Sequence, residues 1–345
     1  MIKLNEITKK VFIVAELSAN HAGSLKIAIE TIKAAKKAGA DAIKLQTYTA
    51  DTITIDSKKK DFIISAGSIW DGQNYYNLYE NAHTPWKWHK QLYHVANEEG
   101  LICFSSPFDH TAVDFLEKLN NPIYKIASFE ITDIPLIKYI ASIGKPIILS
   151  TGIADFNDIE LALKTIREQN NNQIALLKCT SAYPAPIEEA NLSMIGDLRD
   201  KFKVIVGLSD HTLGINCPIV ATSLGAKIIE KHFILEKSIE TPDSSFSLDK
   251  NEFKKMVKCV REAETSLGKI DYNLTDKQIE GKAFSRSLYV VNDIKKGELF
   301  TKKNIKSIRP GFGLHPKYLI QILGKKAIID IKRGERLKHA HYKTT

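Results

Sequence analysis

Apolar and polar positions follow two different rhythms over the first 250 residues. Eight short runs, at 11–17, 42–47, 102–108, 123–128, 146–151, 174–180, 204–209 and 227–233, are nearly continuous in Val, Ile and Leu. Runs of that kind mark parallel strands buried on both faces. Amphipathic stretches lie between them; in 24–38, Leu25, Ile29, Ile32 and Ala35 share one helical stripe. Thr84 followed by Pro85 predicts a helix start, with Thr84 as N-cap and proline at the first helical position. A last amphipathic helix is expected near 251–267. Eight strand-then-helix units predict an α/β chain with a (β/α)₈ TIM barrel over residues 1–267. A doubly wound open sheet would carry fewer strands and a glycine-rich first turn, and the sequence has neither feature.

Two segments break the rhythm. Residues 48–83 form one long connection that carries Trp70, Tyr75, Tyr76 and Tyr79. Most such connections run ~2–6 residues, so this one is expected to be a functional lid or an oligomer contact. Residues 268–283 are polar and read as a linker. Beyond it, turn signals come often, and Ser287-Leu-Tyr-Val-Val predicts a short strand. The hexapeptide D-I-K-K-G-E at 293–298 recurs as D-I-K-R-G-E at 330–335. Each copy is expected to be a strand end, a glycine turn and a basic strand. Residues 284–345 are therefore expected to form a small, mostly β domain.

Charge sharpens that division. The 345 residues carry a net charge of +9. From Gly281 onward 16 lysines and arginines face 4 acidic residues, whereas the remainder has 33 against 36. A basic end can serve nucleic acid, a membrane surface or an anionic substrate. Without interleaved aromatics the lysine-rich repeat does not suit single-strand binding, and no nucleic-acid partner is expected. No apolar run approaches the ~20 residues of a membrane span. Cys103, Cys179, Cys217 and Cys259 form no C-x-x-C pair. That spacing excludes a disulfide scaffold and, with an N-terminus unlike a secretory signal, predicts a cytoplasmic protein.

The active site of such a barrel lies at the C-terminal strand ends. There the sequence places Glu16, Lys44 and Gln46, Ser106, Lys125, Ser128 and Glu130, Ser150, Ser181 and Tyr183, Ser209, His211 and His232. Lys44 and Lys125 sit inside apolar strands, where an unpaired ammonium is costly. They form either structural ion pairs with Glu16 or Glu130, or an anion site with the serine hydroxyls; an imine-forming Lys125 is a third possibility. His211 and His232 end neighbouring strands, close enough to hold one divalent cation with positions open for substrate. Arg309, in the glycine-rich S-I-R-P-G-F-G, is either a ligand-reaching residue or a solvated one.

Taken in order, the strings A-E-L-S-A-N-H at 15–21, D-A-I-K-L-Q-T at 41–47, F-S-S-P-F at 104–108, Y-K-I-A-S-F-E at 124–130, L-S-T-G at 149–152, G-L-S-D-H-T at 207–212 and E-K-H-F at 230–233 resemble the sialic acid synthase family. The end, with A-F-S-R-S-L at 283–288, the hexapeptide repeat and R-P-G-F-G at 309–313, resembles that family's antifreeze-like SAF (β-clip) domain. S-I-W-D-G-Q-N-Y-Y-N-L-Y-E at 68–80, A-H-T-P-W-K-W-H at 82–89 and D-S-S-F-S-L at 243–248 are similar to the family's pseudaminic acid branch, with legionaminic and N-acetylneuraminic acid as alternatives.

The resemblance implies condensation of phosphoenolpyruvate with a diacetamido trideoxyhexose. It implies that Lys44, Ser106, Lys125, Ser128, Ser150, Ser181 and Ser209 hold phosphoenolpyruvate. Gln46, Glu130, Tyr183 and Asp243 would hold the sugar, with Arg309 arriving from the partner of a domain-swapped homodimer. Glu16 and Asp243 are the implied catalytic residues, Glu16 for proton transfer. The implied cofactor is a divalent metal ion (manganese, magnesium or cobalt) on His211 and His232.

Overall fold

The computed structural model describes residues 2–343. Residues 1–268 and 269–345 form two compact units. In the first, eight parallel strands close into a barrel in sequence order. They are β1 (Phe12–Glu16), β2 (Ala42–Thr47), β3 (Ile102–Pro107), β4 (Tyr124–Ile126), β5 (Ile147–Ser150), β6 (Ile174–Cys179), β7 (Ile205–Asp210) and β8 (Ile228–His232). Closure comes from β1 pairing with β8, Val14 opposite Glu230 and Glu16 opposite His232.

Alternation along each strand sends side chains to two separate cores. Inside the barrel, Phe12, Val14, Phe104, Ile123, Ile148, Leu177 and Ile228 pack together, with Leu4 from the N-terminal helical turn beneath them. Between barrel and helices lies a larger core that includes Ile13, Ile43, Leu45, Ile126, Leu149, Leu176 and Ile229. The inward positions one step higher are polar: Glu16, Lys44, Ser106, Lys125, Ser150, Ser209 and Glu230 are all buried. The barrel is thus filled with apolar side chains below and with charge at its mouth.

Helices cover the outside. Ser24 caps Leu25–Ala38 by accepting from Ile27 N, and Asp249 caps Lys250–Leu267. The second surrounding helix, Trp86–Glu98, departs from expectation: Pro85 is its N-cap, and Thr84 makes no capping bond. The hydroxyl of Thr84 is instead buried without a partner. Among the described residues no helix is long and apolar enough to cross a membrane.

The connection 48–83 is structured. It contains the helix Tyr75–Ala82 and a short antiparallel pairing of Ile63 with Asn74. The stretch read as a linker likewise holds a helix, Asp276–Gly281, whose N-cap Thr275 accepts from Gln278 N.

The second unit has its own core, built on Leu288, Val290, Phe300, Ile305, Ile322 and Leu337. Among the described residues its regular strands are β9 (Ser287–Val290) and β10 (Ile305–Ile308), paired antiparallel. The two hexapeptides do not continue into basic strands. They meet at a single bridge, Ile294 with Ile331. Asp330 accepts from Lys296 N at 2.8 Å and pairs with Lys295 at 2.9 Å; Asp293 does the same with Arg333 N at 2.8 Å and Lys332 at 3.0 Å. Gly297 and Gly334 turn each copy at φ 88° and 87°, which ends the pairing after one rung.

Candidate active site at the barrel mouth

Four charges form a buried chain across the barrel. The Lys44 ammonium touches the Glu16 carboxylate and lies 3.3 Å from Glu230 Oε1; Lys125 Nζ lies 3.7 Å from the same oxygen. Burial disfavours the Lys44 ammonium, but Glu16 and Glu230 more than offset this and push it up to about 12. Burial lowers Lys125, with Glu230 opposing and Lys44 adding to the effect. Burial also raises Glu16 despite Lys44. Glu230 is desolvated too, yet Lys125 and Lys44 together hold it well below the usual carboxylate range.

The ion-pair reading from sequence is therefore half right. Lys44 pairs with Glu16 as expected, but the partner of Lys125 is Glu230, not Glu130. Glu130 lies just past β4 on the short turn Ser128–Glu130, where burial raises it to about 7 with only partial relief from Lys125. Strand alternation could have found Glu230, which lies two residues before His232 and so on the same face.

Serine hydroxyls ring the lysines. Ser106 and Ser150 Oγ are buried without a partner. Ser128 and Ser181 Oγ lie 2.6 Å apart, and Ser209 donates to Glu230 at 3.0 Å. Gly152, in the turn after β5, makes room for this layer: a Cβ there would fall 2.0 Å from Ser181 Oγ. Gln46 stands beside Ser106 in the β2–β3 register.

The two histidines face each other at 5.3 Å between ring centroids. His211 Nδ1 bonds to Thr180 O at 2.9 Å, and His232 Nδ1 lies 3.5 Å from Asp243 Oδ2. His211 is thereby oriented through Nδ1, an arrangement common in metal-ligating imidazoles, whereas His232 Nδ1 is buried without a hydrogen bond and meets Asp243 at ion-pair distance. Among the described residues no group of three His, Cys, Asp or Glu is arranged to hold a metal. Two imidazoles at neighbouring strand ends would fit a cation whose other positions are completed by substrate and water.

Asp243 is buried, yet it is held below the usual range by His232, the Ser18 hydroxyl and Ala19 N. Its loop is pinned by Asn20, which donates to Phe233 O at 3.1 Å and Ser247 Oγ at 2.7 Å and accepts from Thr241 at 2.6 Å. Asp210 and Lys231, one residue out of step with the inward set, form a buried pair at 2.6 Å on the barrel's outer side. Sequence reasoning left Asn20, Asp210 and Lys231 without a role; Asn20 ties down the loop that carries Asp243, and the Asp210–Lys231 pair, which also binds Thr212, joins the ends of β7 and β8. Tyr183 lies 4.4 Å from His211 and 5.3 Å from Phe246. Arg309 belongs to the second unit, directly after β10, and is exposed.

Comparison with known proteins agrees with the geometry. The "Pseudaminic acid synthase" of Campylobacter jejuni is 53% identical over 97% of each chain. The "N,N'-diacetyllegionaminic acid synthase" of Legionella pneumophila is 36% identical, over 96% of this chain and 94% of that one. The crystal structure of an N-acetylneuraminic acid synthetase from Leptospira borgpetersenii superposes with a TM-score of 0.71 at 31% identity, covering 79% of this chain and 90% of that one. Residues 285–343 match the SAF domain. Residues 31–272 match the NeuB family, and the chain belongs to it.

Proposed function

We propose that the chain condenses phosphoenolpyruvate with 2,4-diacetamido-2,4,6-trideoxy-β-L-altrose, giving pseudaminic acid and phosphate with cleavage of the phosphoenolpyruvate carbon–oxygen bond. The observation that carries the chemistry is the pair of unpartnered buried hydroxyls, Ser106 and Ser150, in the same inward layer as two buried lysines. Buried polar atoms are ordinarily satisfied, so hydroxyls left free beside ammonium groups are an anion site awaiting its anion. The choice of sugar is supported by 53% identity to a pseudaminic acid synthase against 36% to a legionaminic one.

In this reading Lys44, Lys125, Ser106, Ser128, Ser150, Ser181 and Ser209 hold phosphoenolpyruvate. Two lysines facing two carboxylates would be neutral. Burial raises the affinity of Glu16 for a proton, and a proton taken up there as the phosphate ester binds would leave the cluster positive. Glu16 then has the proton needed when the enol carbon bonds to the sugar aldehyde and its oxygen becomes an alkoxide. Ionised Glu16 next takes a proton from the water that adds to the cationic former enol carbon, and phosphate leaves. Gln46, Glu130, Tyr183 and Asp243 hold the sugar, and Asp243 lies against His232. A divalent cation (manganese, magnesium or cobalt) on His211 and His232 would supply polarisation of the aldehyde.

Arg309 of the partner subunit completes the sugar site in a domain-swapped homodimer; what supports this is that Arg309 is exposed within the glycine-rich loop after β10. The reaction is placed in the cytoplasm, where the four free cysteines stay reduced.

The test is incubation with phosphoenolpyruvate carrying ¹⁸O in the bridging position, together with each candidate sugar. Pseudaminic acid identified by NMR, with the label in phosphate, is the expected result. No condensation with any diacetamido sugar, or borohydride trapping of Lys125 in its place, overturns the reading.

A further inference from the structure

The long connection 48–83 ends in a built tip. Ile64 N donates to Gln73 O at 2.9 Å and Gly72 N to Ile64 O at 2.8 Å, closing a small hairpin. Within it the Asp71 carboxylate accepts from Ala66 N (3.1 Å), Gly67 N (2.9 Å) and Ser68 N (2.9 Å), and from Ser68 Oγ (2.9 Å). Trp70 is fixed at both backbone ends: its N–H donates to Ser68 Oγ at 3.2 Å and its carbonyl accepts from Gln73 N at 3.1 Å.

The indole so held lies 5.4 Å from the Tyr183 ring, which itself lies 4.4 Å from His211. Phe246 continues the wall, 5.3 Å from Tyr183 and 4.9 Å from His232. The indole Nε1 is buried and has no acceptor. Indole N–H groups that lose water ordinarily find a partner. A rigid turn thus carries a large apolar face and a free donor to the edge of the two-histidine site.

We propose that Trp70 is a sugar-binding residue that selects a diacetamido 6-deoxyhexose over a hydroxyl-rich hexosamine. The inference rests on the proposed function. The diacetamido trideoxy sugar presents three methyl groups and two acetamido carbonyls. N-acetylmannosamine presents one methyl and an additional hydroxymethyl. An indole face stabilises the first surface and desolvates the hydroxyls of the second without pairing them. The N–H donates to an acetamido carbonyl, which gives the orphaned donor its acceptor.

The experiment compares the parent enzyme with W70F and W70A on both sugars, with melting temperature as the fold control. W70F removes the donor and keeps a ring; KM for the diacetamido sugar should rise about tenfold. W70A should raise it further and narrow the preference over N-acetylmannosamine, while KM for phosphoenolpyruvate stays within about twofold. Unchanged sugar KM in a folded W70A enzyme overturns the inference alone. So does a parallel rise in both KM values, which marks a merely structural tip. Absence of condensation by the parent enzyme overturns the proposed function, and this inference with it.

Discussion

Lys125 Nζ and Glu230 Oε1 approach to 3.7 Å across the barrel interior, from β4 to β8. The same oxygen is 3.3 Å from Lys44, whose ammonium also touches Glu16. One carboxylate therefore serves two cations, and removing an inner member of the chain strands an end: loss of Glu230 leaves Lys125 unpaired, and loss of Lys44 leaves Glu16 unpaired.

Glu230→Gln leaves the buried Lys125 without its paired carboxylate. Breaking a buried pair on one side costs about 3–5 kcal/mol. A lowered melting temperature, recovered in part by phosphoenolpyruvate, is expected in thermal denaturation. An unchanged transition contradicts the shared-carboxylate account.

Lys125→Met removes a charge-assisted contact to the anion worth about 1.5–3 kcal/mol. Calorimetry should show phosphoenolpyruvate bound about 10–150-fold more weakly, with sugar affinity kept. Ser106→Ala and Ser150→Ala behave differently, because their hydroxyls have no partner in the free protein. These variants should be as stable as the parent and still lose phosphoenolpyruvate affinity. A stability loss would mean that the hydroxyls serve the fold.

Burial raises Glu130 to about 7, with Lys125 opposing only in part. The unfolded chain loses this proton near the ordinary carboxylate value, so between about 4.5 and 7 the native state holds more protons than the unfolded one. Stability from this group is complete below the lower value and is lost as pH rises through about 7. Glu130→Gln removes the penalty of ionising it. The variant should gain on the parent as pH rises from 5 to 8, by roughly 2 kcal/mol. Melting curves that keep a constant separation across that range would show that Glu130 does not titrate with folding.

Dialysis against EDTA is expected to abolish condensation, and manganese or magnesium to restore it. His211→Ala and His232→Ala should lose most activity and also the manganese-binding isotherm, with the barrel intact by circular dichroism. Full turnover by a verified metal-free preparation removes the two-imidazole site from the reaction.

Mixing His211→Ala with Arg309→Ala tests whether two subunits share a site. In a swapped mixed dimer one site carries neither lesion, and activity should return after subunit exchange. Demonstrated exchange without recovery places Arg309 within its own chain's site or outside the reaction.

Much of this was legible along the chain. Val/Ile/Leu runs at eight places determined eight parallel strands, because strands buried on both faces tolerate little else. Strand alternation then determined which polar residues face inward together: Lys44 with Gln46, and His211 and His232 at adjacent strand ends. The family strings added the substrate class. Less legible were the connections. Residues 63–74 read as loop, since their order comes from one aspartate accepting four hydrogen bonds and from turns at Gly67 and Gly72, with no apolar period to announce it. The second unit's bridges were equally hidden, because its two hexapeptides each complete the other's turn from 37 residues away.

The tertiary structure alone decided who pairs with whom. Sequence supplied two inward lysines and three nearby glutamates; only barrel closure, which brings β8 against β1 and across from β4, made Glu230 and not Glu130 the partner of Lys125. The same closure left Ser106 and Ser150 without partners and brought two histidine rings to 5.3 Å between centroids. Those are properties of distance between strands, and hydrophobic pattern carries the order of strands but not the separations of the side chains they hold.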